Sequence, residues 1–400
     1  MRTGIATVPL DTGKCPKWLF ERMKRLSRAI IFAIVQAFGT EEVLKRLADP
    51  VWFQSLACVI GFDWNSSGAT TTTLGALKEG IRGQEDELGI YICGGKGKTS
   101  RKTPEEIKMF GITRGFDFYE KLIYASKITA KVDSCLIQAG FQIYHHNFIF
   151  TKDGKFAVVQ QGMNPELQKA RRYHWLSLKI QDFTEEPHTA IVSDIRLKPL
   201  NLVAKESKEN KMISLELVKE SPKTFLNDFK KIAGKSTSIN KLSLGFGEEE
   251  TSLLYQKRLP GFCQMELRDV EFYWHPVLKE KFDLKRLKKI IEKAHFLEPR
   301  NFEEFLMVEG VGPKTIRALS LVAEIIYGAK PSYKDPARYS FAHGGKDGTP
   351  YYVEREVYDK TIEVIEKAIK KANVSLSEKD KALKRFQNTF LGIAKSPKIG

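Results

Sequence analysis

Thiolate chemistry has little to work with in this chain. Five cysteines occur in 400 residues, at positions 15, 58, 93, 135 and 263, and no two form a CxxC pair. An odd count at wide spacing argues against a disulfide framework and against a thiolate zinc site. Long apolar runs are missing too. The longest, Ala29 to Val35, falls far short of the ~20 residues that a spanning helix needs. The N-terminal Met1-Arg2-Thr3-Gly4-Ile5-Ala6 lacks an apolar stretch with a cleavage site. No repeat recurs at a period of roughly 20–50 residues. Gly94-Gly95-Lys96-Gly97-Lys98-Thr99 imitates a nucleotide-phosphate loop, but that pattern needs a glycine where Ile92 stands, which argues against an ATPase. These absences point to a cytoplasmic protein with no membrane partner.

Charge of one sign is in surplus. Lys plus Arg number 65 against 49 Asp plus Glu, a formal net charge of +16. Such a surplus favours a polyanionic partner, because each neutralised phosphate releases a counterion. A Lys/Glu-rich surface also suits a hot habitat. DNA is the expected partner and RNA the lesser alternative; the oligomeric state is not legible.

Leu19, Met23, Leu26, Ile30, Ile34 and Phe38 recur near helical spacing, and Gly39-Thr40-Glu41-Glu42 reads as a stop and a new start, so residues 17–47 are expected to form two helices. Residues 51–75 read as mixed, with an apolar segment, a polar Asp63-to-Gly68 stretch and a threonine run. A short strand is expected at 88–93, a loop at 94–102, and a helix capped by Thr103. Residues 141–163, with their alternation about Lys152-Asp153-Gly154-Lys155, read as a β-hairpin. Residues 204–213 are polar and read as a linker. The expected class is α+β: residues 1–203 a mixed α/β domain holding any chemistry, 204–300 a charged, largely helical middle region, and 301–400 a helical domain with an insert at 331–350.

The most specific local pattern is Phe302 to Leu319, a helix, a turn Glu309-Gly310-Val311-Gly312 and a second helix opening on Pro313-Lys314-Thr315. The glycines allow backbone to approach a phosphate closely. Val311 plugs the two helices together, Pro313 suits a first helical turn, and the second helix directs its positive end and free amides at an anion. The run resembles the helix-hairpin-helix of DNA repair and recombination proteins, which implies backbone grip through Gly310, Val311, Gly312, Lys314 and Thr315 with little base reading. In the endonuclease-three-like glycosylases a lysine at the place of Lys314 is the Schiff-base nucleophile and an aspartate farther on assists; Asp335 is the nearest here, in surroundings that do not reproduce that pattern.

Other cations are candidates for phosphate contact: Lys96, Lys98, Arg101 and Lys102 in the glycine-rich loop, Arg171 and Arg172 ahead of Tyr173-His174-Trp175, and Lys346 in a second glycine-rich stretch. Trp64, Tyr144, Tyr173 and Trp175 are candidates for base stacking. For chemistry, four of the seven histidines lie at 145, 146, 174 and 188. Asp63, Asp133 and His145 could hold a divalent metal, Mg or Mn, with Gln160 positioning water. Lys131, like Lys314, is a candidate amine nucleophile. His145 and His146 face opposite ways on a strand, so one ion cannot use both without a bulge.

Several runs together, Trp18-to-Met23, Asp49-to-Gln54, Gly61-to-Gly68, Ser100-to-Ile107, Tyr144-His145-His146, Val159-to-Met163, Ala170-to-Trp175 and Ser340-to-Gly348, resemble the prokaryotic domain of unknown function 763 over nearly the whole chain. The resemblance implies an archaeal or thermophilic source and no assigned activity. Where Asn65 stands that family often has histidine, which weakens a metal ligand there. The expectation is a DNA-binding repair or processing enzyme, first a metal-dependent endonuclease. The alternatives are a glycosylase or abasic-site lyase, and a non-catalytic DNA- or RNA-binding member of a larger assembly.

Overall fold

The structure is a computed structural model that describes residues 15–61, 68–193, 195–230, 232, 282–337, 366–367, 369–371 and 374–384. A five-stranded antiparallel sheet carries the architecture. Its strands are β1 (Ile90–Lys96), β3 (Gln142–Thr151), β4 (Phe156–Asn164), β5 (Lys169–Leu176) and β6 (His188–Val192), in the spatial order β1-β3-β4-β5-β6. A second pair joins β2 (Ile137–Gln138) to β7 (Leu200–Asn201). The class is α+β, as the sequence implies.

Both faces of the sheet are covered, which is why its strands read as apolar on both sides. One face packs on α1 (Lys17–Phe38), α2 (Thr40–Leu47), α3 (Pro50–Ile60) and α4 (Gly68–Ile81), through Ile90, Ile92, Ile149, Val159 and Leu176. The short α5 (Glu85–Leu88) leads into β1, and the other face presents Tyr91, Phe148, Phe150, Val158 and Trp175 to α6 (Thr103–Arg114) and α7 (Tyr119–Cys135). The latter apolar cluster continues without a break into α8 (Lys208–Glu220), α9 (Leu284–Leu297), α10 (Phe302–Met307) and α11 (Pro313–Ile325). Among the described residues this cluster spans positions 203 and 300.

Local chemistry explains where the segments read as irregular became regular. Asp49 caps α3 by accepting from the Val51 and Trp52 amides at 2.9 and 3.1 Å, with Pro50 in the first turn, an Asp-Pro start signal. The threonine run lies in α4, where Thr70 and Thr73 are buried; packing against α1 overrides the modest helix propensity of threonine. The stretch read as a linker enters the core. Asn210 donates to the carbonyls of Ser320 and Ala329 (3.0 and 2.6 Å), and Lys211 to that of Thr184 (2.7 Å). β1 runs on to Lys96, and Thr103 turns its hydroxyl back to the Ser100 carbonyl at 2.7 Å without capping α6. Gly94 is indispensable there: its φ is +93°, and a Cβ would lie 2.1 Å from the His146 carbonyl oxygen.

Candidate functional site

Two places bring chemistry-bearing residues together: an exposed turn and a buried polar layer. The turn links α10 to α11. Asn301 caps α10 by accepting from the Glu304 amide at 2.8 Å. Val311 is buried between the helices, while Glu309, Gly310, Pro313 and Lys314 are exposed. Gly310 has φ +92°, and a Cβ there would crowd Ile290 of α9 at 3.2 Å. Gly312 is different. Its backbone is extended, φ −147°, and the nearest atom to a Cβ is 3.9 Å away, so only open space at the turn distinguishes it from a larger residue. Thr315 is buried and faces the core.

The turn is held from the sheet domain. Lys131 on α7 donates to the carbonyls of Leu306, Val308 and Val311 at 2.9, 3.4 and 2.6 Å, placing a cation at the negative end of α10. Burial lowers its pKa, yet the ammonium is fixed on three carbonyls and does not stand free as a nucleophile. Gln138 donates to the Pro313 carbonyl at 2.9 Å and accepts from Arg317 at 2.5 Å.

The buried layer crosses the sheet where β3, β4 and β5 pair in register. Lys96 stands opposite His145, His145 opposite Gln161, and Gln161 opposite Arg172. One step along, His146 stands opposite Gln160 and Gln160 opposite Tyr173. Cross-strand partners share a face, so His145 and Gln160 lie on opposite sides of the sheet. The expected grouping of Asp133, His145 and Gln160 about one metal is thereby corrected. Asp133 and Gln160 meet on the α7 side, and His145 points towards the N-terminal helices. Among the described residues no group of three or more His, Cys, Asp or Glu could hold a metal. Asp63, Trp64 and Lys346 lie outside the described residues.

On the α7 side Asp133 is fully buried. Its Oδ2 accepts from Gln160 Nε2 and, at 3.0 Å, from Trp175 Nε1, and its Oδ1 pairs with His188 Nε2 at 2.5 Å. Gln160 Nε2 also donates to the Thr129 carbonyl at 3.0 Å. Those acceptors require the amide nitrogen to face them, so Gln160 Oε1 accepts from His146 Nδ1 (2.7 Å) and His146 Nε2 accepts from the Ser126 hydroxyl (2.9 Å). His188, one of the four clustered histidines, also lines a cleft of about 100 Å³ together with Glu186, Asn201, Ser332 and Lys334. Its signal was hard to find, because Asp133 lies 55 positions away.

The two arginines of β5 part company. Arg171 is fully buried beneath Phe141 and pairs with Asp335 at 2.7 Å. Asp335 is thus held on Arg171 and does not serve Lys314. Arg172, on the other face, stacks on Phe53 and donates to Gln54 and Thr70 at 3.1 and 3.3 Å. Neither arginine is exposed, which corrects their assignment as surface contacts to the phosphates along a duplex; Tyr173 and Trp175 are likewise buried. Lys96, Lys98, Arg101 and Lys102 are exposed in and beside the 3-10 helix at 97–102, with Lys96 over the Tyr144 ring.

Fold and site together define a protein with an enclosed polar layer in a two-faced sheet and a glycine turn held out to solvent. The chain belongs to the family described as protein of unknown function (DUF763), whose model matches residues 4–353. Comparison with curated proteins and with solved structures yields no match.

Proposed function

We propose that this protein binds DNA by its sugar-phosphate backbone, through a helix-hairpin-helix made of α10, the 308–312 turn and α11, with the exposed cations of the 97–102 loop as a second area of contact. The observation that carries the reading is the turn itself. Glycines 310 and 312 leave its backbone uncovered, and Pro313 and Lys314 open a thirteen-residue helix towards solvent. Its positive end suits a phosphate oxygen. Contacts of this kind are indifferent to sequence. Fluorescence anisotropy with labelled duplexes of unrelated sequence tests this. Affinity is expected to be alike across sequences and to fall steeply with salt, log K against log[salt] dropping by about 0.9 for each phosphate neutralised. Affinity that is absent, or insensitive to salt, contradicts the proposal.

A second reading, strand processing, is favoured by the Asp133–His188 pair. A carboxylate on one ring nitrogen fixes the tautomer and leaves the other nitrogen to take a proton, and His188 borders a cleft. Intact and abasic duplexes are incubated with Mg or Mn, with EDTA, and with borohydride. Cleavage lost in His188→Gln supports this site, and its loss in EDTA marks a divalent cation as a cofactor. A borohydride adduct would instead support the lyase alternative, with Lys314 as the exposed amine. Absence of both leaves a DNA-binding member of a larger assembly.

A further inference from the structure

Burial of a charge without a counter-charge costs several kcal/mol, so native proteins pair such groups or bind something to them. β5 shows both situations at neighbouring positions. Arg171 has Asp335. Arg172 is buried as well, 4% exposed against 0% for Arg171, yet its described partners are two neutral oxygens, of Gln54 and Thr70. Two nitrogens of each arginine lack a partner, Nε and Nη1 of Arg171 and Nε and Nη2 of Arg172; what sets Arg172 apart is that no carboxylate among the described residues pairs with it. Burial pulls the guanidinium down to about 9, which still leaves it charged at neutral pH.

Across the same face of the sheet, His145 is also buried, and neither ring nitrogen makes a full hydrogen bond, with the Asn147 side chain a weak neighbour. Gln161 stands between the two on β4, and the row ends at Lys96. Lys98, Arg101 and Lys102 follow in the exposed loop. Every unmet nitrogen of Arg172 is a donor, and its Nε and Nη2 lie side by side, as bidentate recognition of an oxyanion requires. Neutral His145 adds one donor more.

We propose that Arg172 and His145 form an internal binding site for a phosphoryl group, served by the cationic loop that begins at Lys96. The site is separate from the 308–312 turn and from the Asp133–His188 pair, and it does not depend on the hairpin reading. The donor nitrogens are shut off from solvent, so the anion enters by local opening of the chain that covers them. The phosphoryl group belongs either to a free phosphate or to the end of a nucleic-acid strand.

Thermal unfolding of the full chain tests this with sodium phosphate against sodium chloride at equal ionic strength, and with 5′-phosphorylated against 5′-hydroxyl oligonucleotides. Phosphate is expected to raise the wild-type Tm by several degrees beyond chloride, because a ligand of the native state stabilises it. Arg172→Met is expected to show no such rise and to melt, without phosphate, at or above the wild-type temperature, since an unpaired buried charge has been removed. A larger rise with the 5′-phosphorylated strand identifies the strand end; equal rises with both strands identify free phosphate or a small phosphorylated molecule. A wild type that responds equally to chloride, or a variant that responds like the wild type, overturns the proposal. An Arg172→Met protein that melts lower or fails to fold does so as well, because the guanidinium is then paired within the chain.

Discussion

Replacing Asp335 by alanine is expected to lower the unfolding free energy by about 3–5 kcal/mol, the usual loss when one member of a buried ion pair is removed. Arg171 keeps its charge in a site with no access to water, beneath the Phe141 ring. Two backbone contacts go as well, since Asp335 accepts from the Leu197 and Ala337 amides at 2.8 and 2.9 Å. The pair ties the segment after α11 to the start of β5, so its loss also frees the strip Ser332–Pro336 that walls the cleft. Urea unfolding measures the effect. A loss below about 1 kcal/mol, the range of an exposed pair, would show that Arg171 is not enclosed as described.

The second large effect is on pH. Burial lowers the pKa of His145 to about 3, with help from neighbouring His146 and Lys96, and it lowers those of His146 and His174 as well. All three are neutral in the folded protein near pH 7, whereas in the unfolded chain each titrates near its ordinary value of about 6.5. The unfolded state therefore binds more protons below that value, and stability rises with pH wherever it does so. Stability in phosphate-free buffer is expected to be level above about pH 7. Below about pH 6 each histidine removes about 1.4 kcal/mol per pH unit, down towards pH 3 for His145. Urea midpoints from pH 8 to pH 5 test this. Constant midpoints across that range would mean that the three rings are solvated or carry charged partners.

Much of the sheet was legible because a hairpin advertises itself. Residues 142–164 alternate, and Asp153-Gly154 sits in the turn. The same period of two separated His145 from His146 onto opposite faces. The helices at 17–47 and 302–325 were legible from apolar spacing and from glycine and proline punctuation. What stayed hidden depends on contacts distant in sequence. Nothing near Lys211 announces that its ammonium will reach the Thr184 carbonyl, or near Lys131 that it will reach three carbonyls some 175–180 residues away. Polar residues read as surface or chemistry went inside because each found partners there. Asp133, Arg171 and Gln160 are the cases in point, and burial is cheap for polar groups only when such partners exist. Asp133 and His145 do not meet because strand parity turns His145 away from the face that α7 covers, and the position of α7 is set by packing, which no local pattern announces.

Gly312→Val puts the proposed phosphate grip of the 308–312 turn to the test. The extended backbone and open space at Gly312 accept a side chain, so the fold is undisturbed, whereas Gly310, with its positive φ, would confound binding with stability. The substituted side chain covers the turn amides and holds a phosphate away. A Tm within a few degrees of wild type, the small loss of valine at a helix N-cap, is expected together with a loss of at least about tenfold, roughly 1.4 kcal/mol, in duplex affinity, equal for unrelated sequences. Wild-type affinity in a Gly312→Val protein of near wild-type stability would contradict the proposed grip.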